Sequence, residues 1–73
     1  MSEQEHLEIR INGKSREFSH AMTILDLLVQ LDLPTESGIA VERNQLIVSK
    51  SDYAGTWLQS GDVLEIVTLV GGG

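Results

Sequence analysis

Hydrophobic and polar residues alternate near the start of the chain, where single polar residues separate Leu7, Ile9 and Ile11. A period of two is typical of a strand that buries one face. The pair Asn12-Gly13 follows, and because both residues tolerate a positive φ, it predicts a tight hairpin turn. We therefore expect a second strand over residues 15–19 and a β-hairpin as the opening unit.

The spacing of apolar residues becomes helical after residue 22. Thr23 is a suitable N-cap, with Asp26 three residues later as a shortened capping box. The apolar stripe consists of Ile24, Leu27, Leu28 and Leu31. Because Pro34 disfavours helical geometry at the residue before it, the helix should end near Asp32. A helix of about 9–10 residues is marginal in isolation, so it must pack on other elements.

Three further apolar runs predict the remaining strands. They cover residues 39–41, 46–48 and 63–69. The segment 49–56 is expected to be irregular with one helical turn, and Trp57 and Leu58 are expected to anchor it in the core. The last strand is too long and too apolar for a sheet edge, so we place it in the centre, next to the first strand.

The order of elements, β-β-α-β-β-β, predicts a two-layer α+β roll. A single amphipathic helix needs an apolar sheet face to cover, so we expect a mixed sheet of about five strands packed on it. With 73 residues, the chain is one small domain. We divide it into a polar N-terminal lead (1–6), a folded domain (7–70) and a flexible glycine tail (71–73).

Composition narrows the range of functions. The absence of cysteine excludes disulfides and thiolate metal sites and suits a reducing compartment. The net charge of −6 argues against nucleic-acid binding and favours a partner with a basic face. The N-terminus lacks the features of a signal peptide, and no apolar run approaches the length of a membrane span. We therefore expect a cytoplasmic protein that binds neither nucleic acid nor membrane.

The sequence suggests no catalytic centre. His6 and His20 have no clear partners, and a metal site needs several converging ligands, so no metal is predicted. The serines have no context that would activate a nucleophile. We therefore expect a protein that is not an enzyme, with no catalytic residue and no bound cofactor.

The end of the last strand carries the candidate chemistry. The strand passes directly into Gly71, Gly72 and Gly73, and a tail without side chains is narrow and flexible enough to enter a cleft. Its α-carboxylate is the candidate working group. Val67, Leu69 and Val70 beside the tail are the predicted docking patch, unless the segment 49–60 covers them.

These stretches carry a resemblance to a known family. The matching residues are 11–14 in the hairpin, 23–28 in the helix, and then 39–44, 47–53 and 61–73. Their order, together with the glycines, resembles the ubiquitin-like β-grasp sulfur carriers, and most closely the thiamine-biosynthesis sulfur carrier (ThiS) family. The resemblance covers nearly the whole chain past residue 6.

The resemblance implies a β-grasp fold and a carrier role. In such carriers, a ubiquitin-activating-type adenylyltransferase (ThiF-like) uses ATP to adenylate the C-terminal glycine. A sulfur donor converts the acyl-adenylate to a thiocarboxylate, and thiazole synthase (ThiG-like) receives the sulfur. Carried over to this sequence, Gly73 is the modified residue and Gly72 its unobstructed neighbour.

Three alternatives remain open. The first is a sulfur carrier of the same fold that serves molybdopterin synthesis. The second is a ubiquitin-like protein modifier, whose glycine would end in an isopeptide bond. The third is a β-grasp interaction module in which the glycines have no chemical role.

Overall fold

Five strands and one α-helix form the part of the chain that the computed structural model describes, residues 6–35 and 38–69. The strands are β1 (Leu7–Ile11), β2 (Lys14–Phe18), β3 (Ile39–Arg43), β4 (Leu46–Val48) and β5 (Val63–Thr68). The helix α1 spans Ile24–Gln30, and a 3₁₀ helix spans Lys50–Gly55. The sheet order is β2-β1-β5-β3-β4, with β1 and β5 parallel and the other pairs antiparallel. The predicted α+β roll, with a mixed sheet and a central last strand, is confirmed.

The opening hairpin follows from its turn residues. Asn12 and Gly13 have φ values of 51° and 86°, which is the left-handed pair that a two-residue hairpin turn requires. Pairing therefore resumes at once, with Ile11 opposite Lys14, and β2 begins one residue earlier than predicted.

The helix is shorter than predicted, and its last turn explains why. The Thr23 side chain and the Asp26 side chain each accept from the other's backbone N–H, which confirms the capping box. At the other end, Asp32 is left-handed with a φ of 60°. The Asp32 N–H donates to Val29 O and the Leu33 N–H donates to Leu28 O. This pattern closes a helix, so α1 has seven residues instead of the nine or ten expected.

The core lies between α1 and one face of the sheet. The buried apolar side chains come from both the helical segments and the sheet, and they are Leu7, Ile9, Ile11, Met22, Ile24, Leu27, Leu28, Val41, Tyr53, Leu58, Leu64 and Ile66. The predicted anchoring role is right for Leu58, which is 5% exposed, and wrong for Trp57, which is 55% exposed. Trp57 forms an antiparallel bridge with Thr23, and neighbouring side chains of extended backbone point to opposite sides.

Two later elements are longer than predicted. β3 extends to Arg43 because the following turn uses only Asn44 and Gln45, which have φ values of 53° and 75°. The 3₁₀ helix covers six residues where one helical turn was expected. None of the described helices is long and apolar enough to cross a membrane.

Candidate functional site

The central strand β5 leads the chain toward the predicted tail. It pairs antiparallel with β3 along nearly all of its length. The contact continues one residue past the strand, because the Leu69 N–H donates to the Gly38 carbonyl at 2.6 Å. The sheet therefore still holds Leu69, the last residue described at this end. The tail residues Gly71, Gly72 and Gly73 lie outside the described residues.

Support from β1 is confined to the first half of β5. Arg10 lies opposite Val63 and Ile11 lies opposite Leu64. The backbone N–H of Asn12 then donates to Leu64 O at 2.9 Å. Because β1 ends at Ile11, the second half of β5 depends on β3 and on a side-chain contact from the hairpin turn.

Asp62 fixes the point at which β5 begins. Its carboxylate is buried, and Oδ2 accepts from Arg43 Nε at 2.8 Å and from the Gln59 N–H at 2.9 Å. Oδ1 accepts from Asn44 Nδ2 at 3.0 Å. Burial alone raises the pKa of Asp62, but these donors and the Arg43 charge outweigh it and hold the pKa below 3.8. The ionised carboxylate therefore ties the turn before β5 to the β3–β4 turn.

The two faces of β5 have different surroundings. Leu64 and Ile66 are buried toward α1, whereas Val67 and Leu69 are 53% and 59% exposed. The segment 49–60 therefore leaves both side chains accessible in this structure. The third predicted docking residue, Val70, lies outside the described residues.

The exposed face of the sheet, which we call the open face, continues across β3 and β4. Ala40 lies opposite Val67, and Glu42 lies opposite both Glu65 and Ile47. Residues directly opposite one another share a face. Ile47 is 79% exposed and adds a further apolar side chain to those of Val67 and Leu69. The open face thus combines apolar residues with two neighbouring carboxylates.

Sequence reasoning missed a cluster at the other edge of the sheet. His6 Nε2 lies 3.4 Å from Glu17 Oε2, and Glu8 brings a second carboxylate, with the candidate ligand atoms all within 4.8 Å of one another. The hairpin register places Glu8 opposite Glu17, which the spacing along the chain does not reveal. All three side chains are exposed, so contacts among them contribute little to stability. His20 Nδ1 lies 3.0 Å from the Ala21 carbonyl oxygen.

Comparison with known proteins points to one family. The model of the ThiS family matches residues 9–73. The sulfur carrier protein ThiS of Bacillus subtilis is 39% identical over 66 residues, which cover 89% of this chain and 98% of that protein. The crystal structure of the thiamine biosynthesis protein ThiS from Geobacter metallireducens has a TM-score of 0.78 at 23% identity, covering 92% of this chain and 100% of the other. This similarity confirms the predicted β-grasp fold.

An enzyme is also among the similar proteins. A thiazole synthase of Paramagnetospirillum magneticum is 46% identical over 67 residues, which cover 92% of this chain. The matched segment makes up only 20% of that enzyme, so this chain spans about one fifth of its length. Because the family model covers nearly all of the chain and a relative of matching length is 39% identical, the chain belongs to the ThiS family.

Proposed function

We propose that this protein is a sulfur carrier of thiamine biosynthesis, a carrier and not a catalyst. The observation that carries the proposal is the family match over residues 9–73. The name of the Bacillus subtilis relative, sulfur carrier protein ThiS, supports the same role. The thiamine assignment is favoured over the molybdopterin alternative by the names of the relatives, which include a thiazole synthase.

The proposed cargo site is the carboxylate of Gly73. A terminal carboxylate has a typical pKa of about 3.3–3.7, so it is ionised at neutral pH and is a poor acyl electrophile. In the proposed sequence, a carboxylate oxygen attacks the α-phosphorus of ATP on a ThiF-like adenylyltransferase, and pyrophosphate leaves. Sulfur that a donor delivers at the oxidation level of sulfide then attacks the acyl carbon, AMP leaves, and a thiocarboxylate remains.

The absence of side chains suits the proposed tail to this chemistry. A Cβ at Gly72 or Gly73 would widen the chain where it enters a partner's channel, and glycine avoids that obstruction. Ordering a flexible segment on binding has an entropic cost. Docking of the exposed Val67 and Leu69 side chains would offset part of that cost, because burial of apolar surface favours association.

Thiazole synthase is the proposed recipient of the sulfur. A segment similar to this chain makes up one fifth of the Paramagnetospirillum magneticum enzyme, which supports a working association between the two kinds of protein. We propose that this protein, as a separate carrier, reaches the enzyme by docking to it. The acidic net charge of −6 would favour encounter with a basic surface near the enzyme's active site.

The test is the mass of the protein after reaction. The full chain is incubated with ATP, a ThiF-like adenylyltransferase and a sulfur donor, and its intact mass is measured. We expect the gain that corresponds to exchange of one oxygen for sulfur, located at Gly73 by fragmentation. Conjugates to lysine would instead indicate a modifier, and an unchanged mass would indicate an interaction module; either result would overturn the proposal.

Two variants make the test specific for the tail. Deletion of Gly73 should abolish adenylation and leave the free energy of unfolding unchanged, because Gly73 follows Leu69, the last residue for which a sheet contact is described. Gly55→Ala is the matched control, since a Cβ there meets nothing within 4 Å. It should be adenylated as the parent is. Adenylation that survives deletion of Gly73 would refute the assignment of the tail.

A further inference from the structure

The side chain of Asn12, a turn residue, forms hydrogen bonds to the backbone of β5 that a strand residue would normally form. Nδ2 donates to Ile66 O at 3.0 Å, and Oδ1 accepts from Ile66 N at 2.8 Å. The last backbone pair between β1 and β5 is Ile11 opposite Leu64. The contacts of the Asn12 side chain follow directly after that pair. One carboxamide therefore satisfies both backbone polar groups of Ile66, as a paired residue of β1 would have done.

The same residue is the only asparagine in the sequence that precedes a glycine. In a flexible chain, the Gly13 amide nitrogen loses its proton to solvent and attacks Cγ of Asn12. A C–N bond forms, the carboxamide nitrogen leaves as ammonia, and a succinimide ring results. Water then opens the ring at either carbonyl and leaves aspartate or isoaspartate. Gly13 presents no Cβ to hinder the attack.

The folded protein restrains both partners of this reaction. The Asn12 carboxamide must turn toward the Gly13 nitrogen, but two hydrogen bonds hold it against Ile66. The backbone is restrained as well, because Asn12 and Gly13 are fixed in the left-handed region with φ values of 51° and 86°. Attack therefore requires that the turn and the second half of β5 separate first.

We propose that Asn12 is a deamidation site that is closed while its carboxamide binds Ile66 and open when β5 separates from the hairpin turn. The product at position 12 is a carboxylate, which has no N–H to donate. It faces the Ile66 carbonyl oxygen, so one of the two hydrogen bonds is lost and an acceptor meets an acceptor. Deamidation therefore follows a separation of β5 from the hairpin turn, and its product makes later separations easier.

The first experiment compares the folded protein with the same chain unfolded in urea, both at mildly alkaline pH. Deamidation is followed by mass spectrometry of proteolytic peptides. We expect Asn12 to react in the unfolded chain and to react at least about tenfold more slowly in the folded one, because two restraining hydrogen bonds must open. Asn44 is the internal control: Gln45 follows it, and we expect its amide to persist in both samples.

Two results would overturn the proposal. Equal rates at Asn12 in the folded and unfolded samples would show that Ile66 does not restrain the carboxamide. An unreactive Asn12 in the unfolded chain would show that the residue is not a deamidation site. Neither readout depends on sulfur transfer, so the result stands whether or not the proposed function is correct.

A second experiment tests the consequence for β5. Asn12→Asp reproduces one product, and Ser15→Asp adds the same charge to an exposed position of β2 without touching Ile66. We expect Asn12→Asp to speed hydrogen exchange of the Ile66 amide about threefold to tenfold, with no change in Ser15→Asp. Equal exchange in the two variants would contradict a holding role for the carboxamide.

Discussion

At the scale of single residues, the Asp62 carboxylate joins the turn before β5 to the β3–β4 turn. Asp62 immediately precedes β5, and no role for it was predicted from the sequence. Its side-chain donors Arg43 and Asn44 lie 19 and 18 residues away, so no local pattern could have identified them. Asn44 also accepts from the Val63 N–H at 2.9 Å. The first residue of β5 is therefore positioned by a network that becomes visible only when the strands are assembled.

We predict that Asp62→Asn lowers the free energy of unfolding at pH 7 by about 1–3 kcal/mol, because it removes charge-assisted hydrogen bonds. The folded pKa of Asp62 lies below its ordinary value of 3.8. The stabilising contribution is therefore complete above that value and is lost as pH falls through the lower folded pKa. Urea denaturation should show parent and variant converging as pH falls below 3.8.

Asp52→Asn is the control for this prediction, since Asp52 is exposed and its carboxylate appears in no hydrogen bond among the described residues. It should leave stability nearly unchanged at pH 7. A gap between parent and Asp62→Asn that stayed constant into the acid range would show that the Asp62 charge does not stabilise the fold.

At the scale of elements, periodicity gave the right strands and the right partner for the helix. Of the four residues of the predicted apolar stripe, Ile24, Leu27 and Leu28 are buried, and Leu31 is half-buried at the C-cap of α1. The errors occur where backbone conformation, not hydrophobicity, decides the outcome. Asp32 adopts the left-handed conformation that ends α1, although glycine is the usual residue there. Trp57 is exposed because the register of its bridge, and not its hydrophobicity, sets its direction.

The pairing of β3 with β5 contains one unfavourable cross-strand pair that a single substitution can remove. Glu65 lies directly opposite Glu42, and like charges in this position are destabilising. We predict that Glu65→Lys raises the free energy of unfolding by about 0.2–1 kcal/mol. The gain should shrink at high salt, because both side chains are exposed and screening weakens exposed pairs.

Asp52→Lys makes the same change in net charge outside the sheet and serves as the control for Glu65→Lys. If both variants gain equally in urea denaturation, then relief of the overall negative charge is the cause, and the cross-strand pair is not. A gain confined to Glu65→Lys supports the pairing argument.

At the scale of the whole molecule, the sheet has one face covered by α1 and one open face. This asymmetry follows from the predicted elements, because one short helix cannot cover both faces of a sheet of five strands. Val67 and Leu69, two of the three residues predicted to form the docking patch, are exposed. The sequence did not indicate that Ile47 lies on the same face, because an apolar run of three residues is equally typical of a fully buried strand. The function of the open face as a docking surface stays a prediction.

We predict that Val67→Glu weakens docking of the activating enzyme. A valine buried on binding contributes about 1.5 kcal/mol, which corresponds to about a tenfold increase in KM for the carrier in an adenylation assay. Val29→Glu is the matched control, since Val29 is 64% exposed and lies on α1, in the layer opposite the open face.

Both variants should keep the fold, which a denaturation curve verifies. An equal rise in KM for Val67→Glu and Val29→Glu would indicate a general charge effect and remove the support for a docking surface. Loss of the folded state in Val67→Glu alone would show that its side chain is needed for packing.

The central place of β5 also governs when the molecule can form during synthesis. The ribosome produces β1 and β2, and later β3 and β4, as two hairpins that have no strand between them. An isolated two-stranded hairpin is marginal in water, and the strand that joins the two is made last. A nascent chain released before residue 68 would therefore lack the joining strand. A polypeptide that folds should therefore have been translated nearly to its tail, so the cell should hold few folded chains that lack the end on which the proposed chemistry depends.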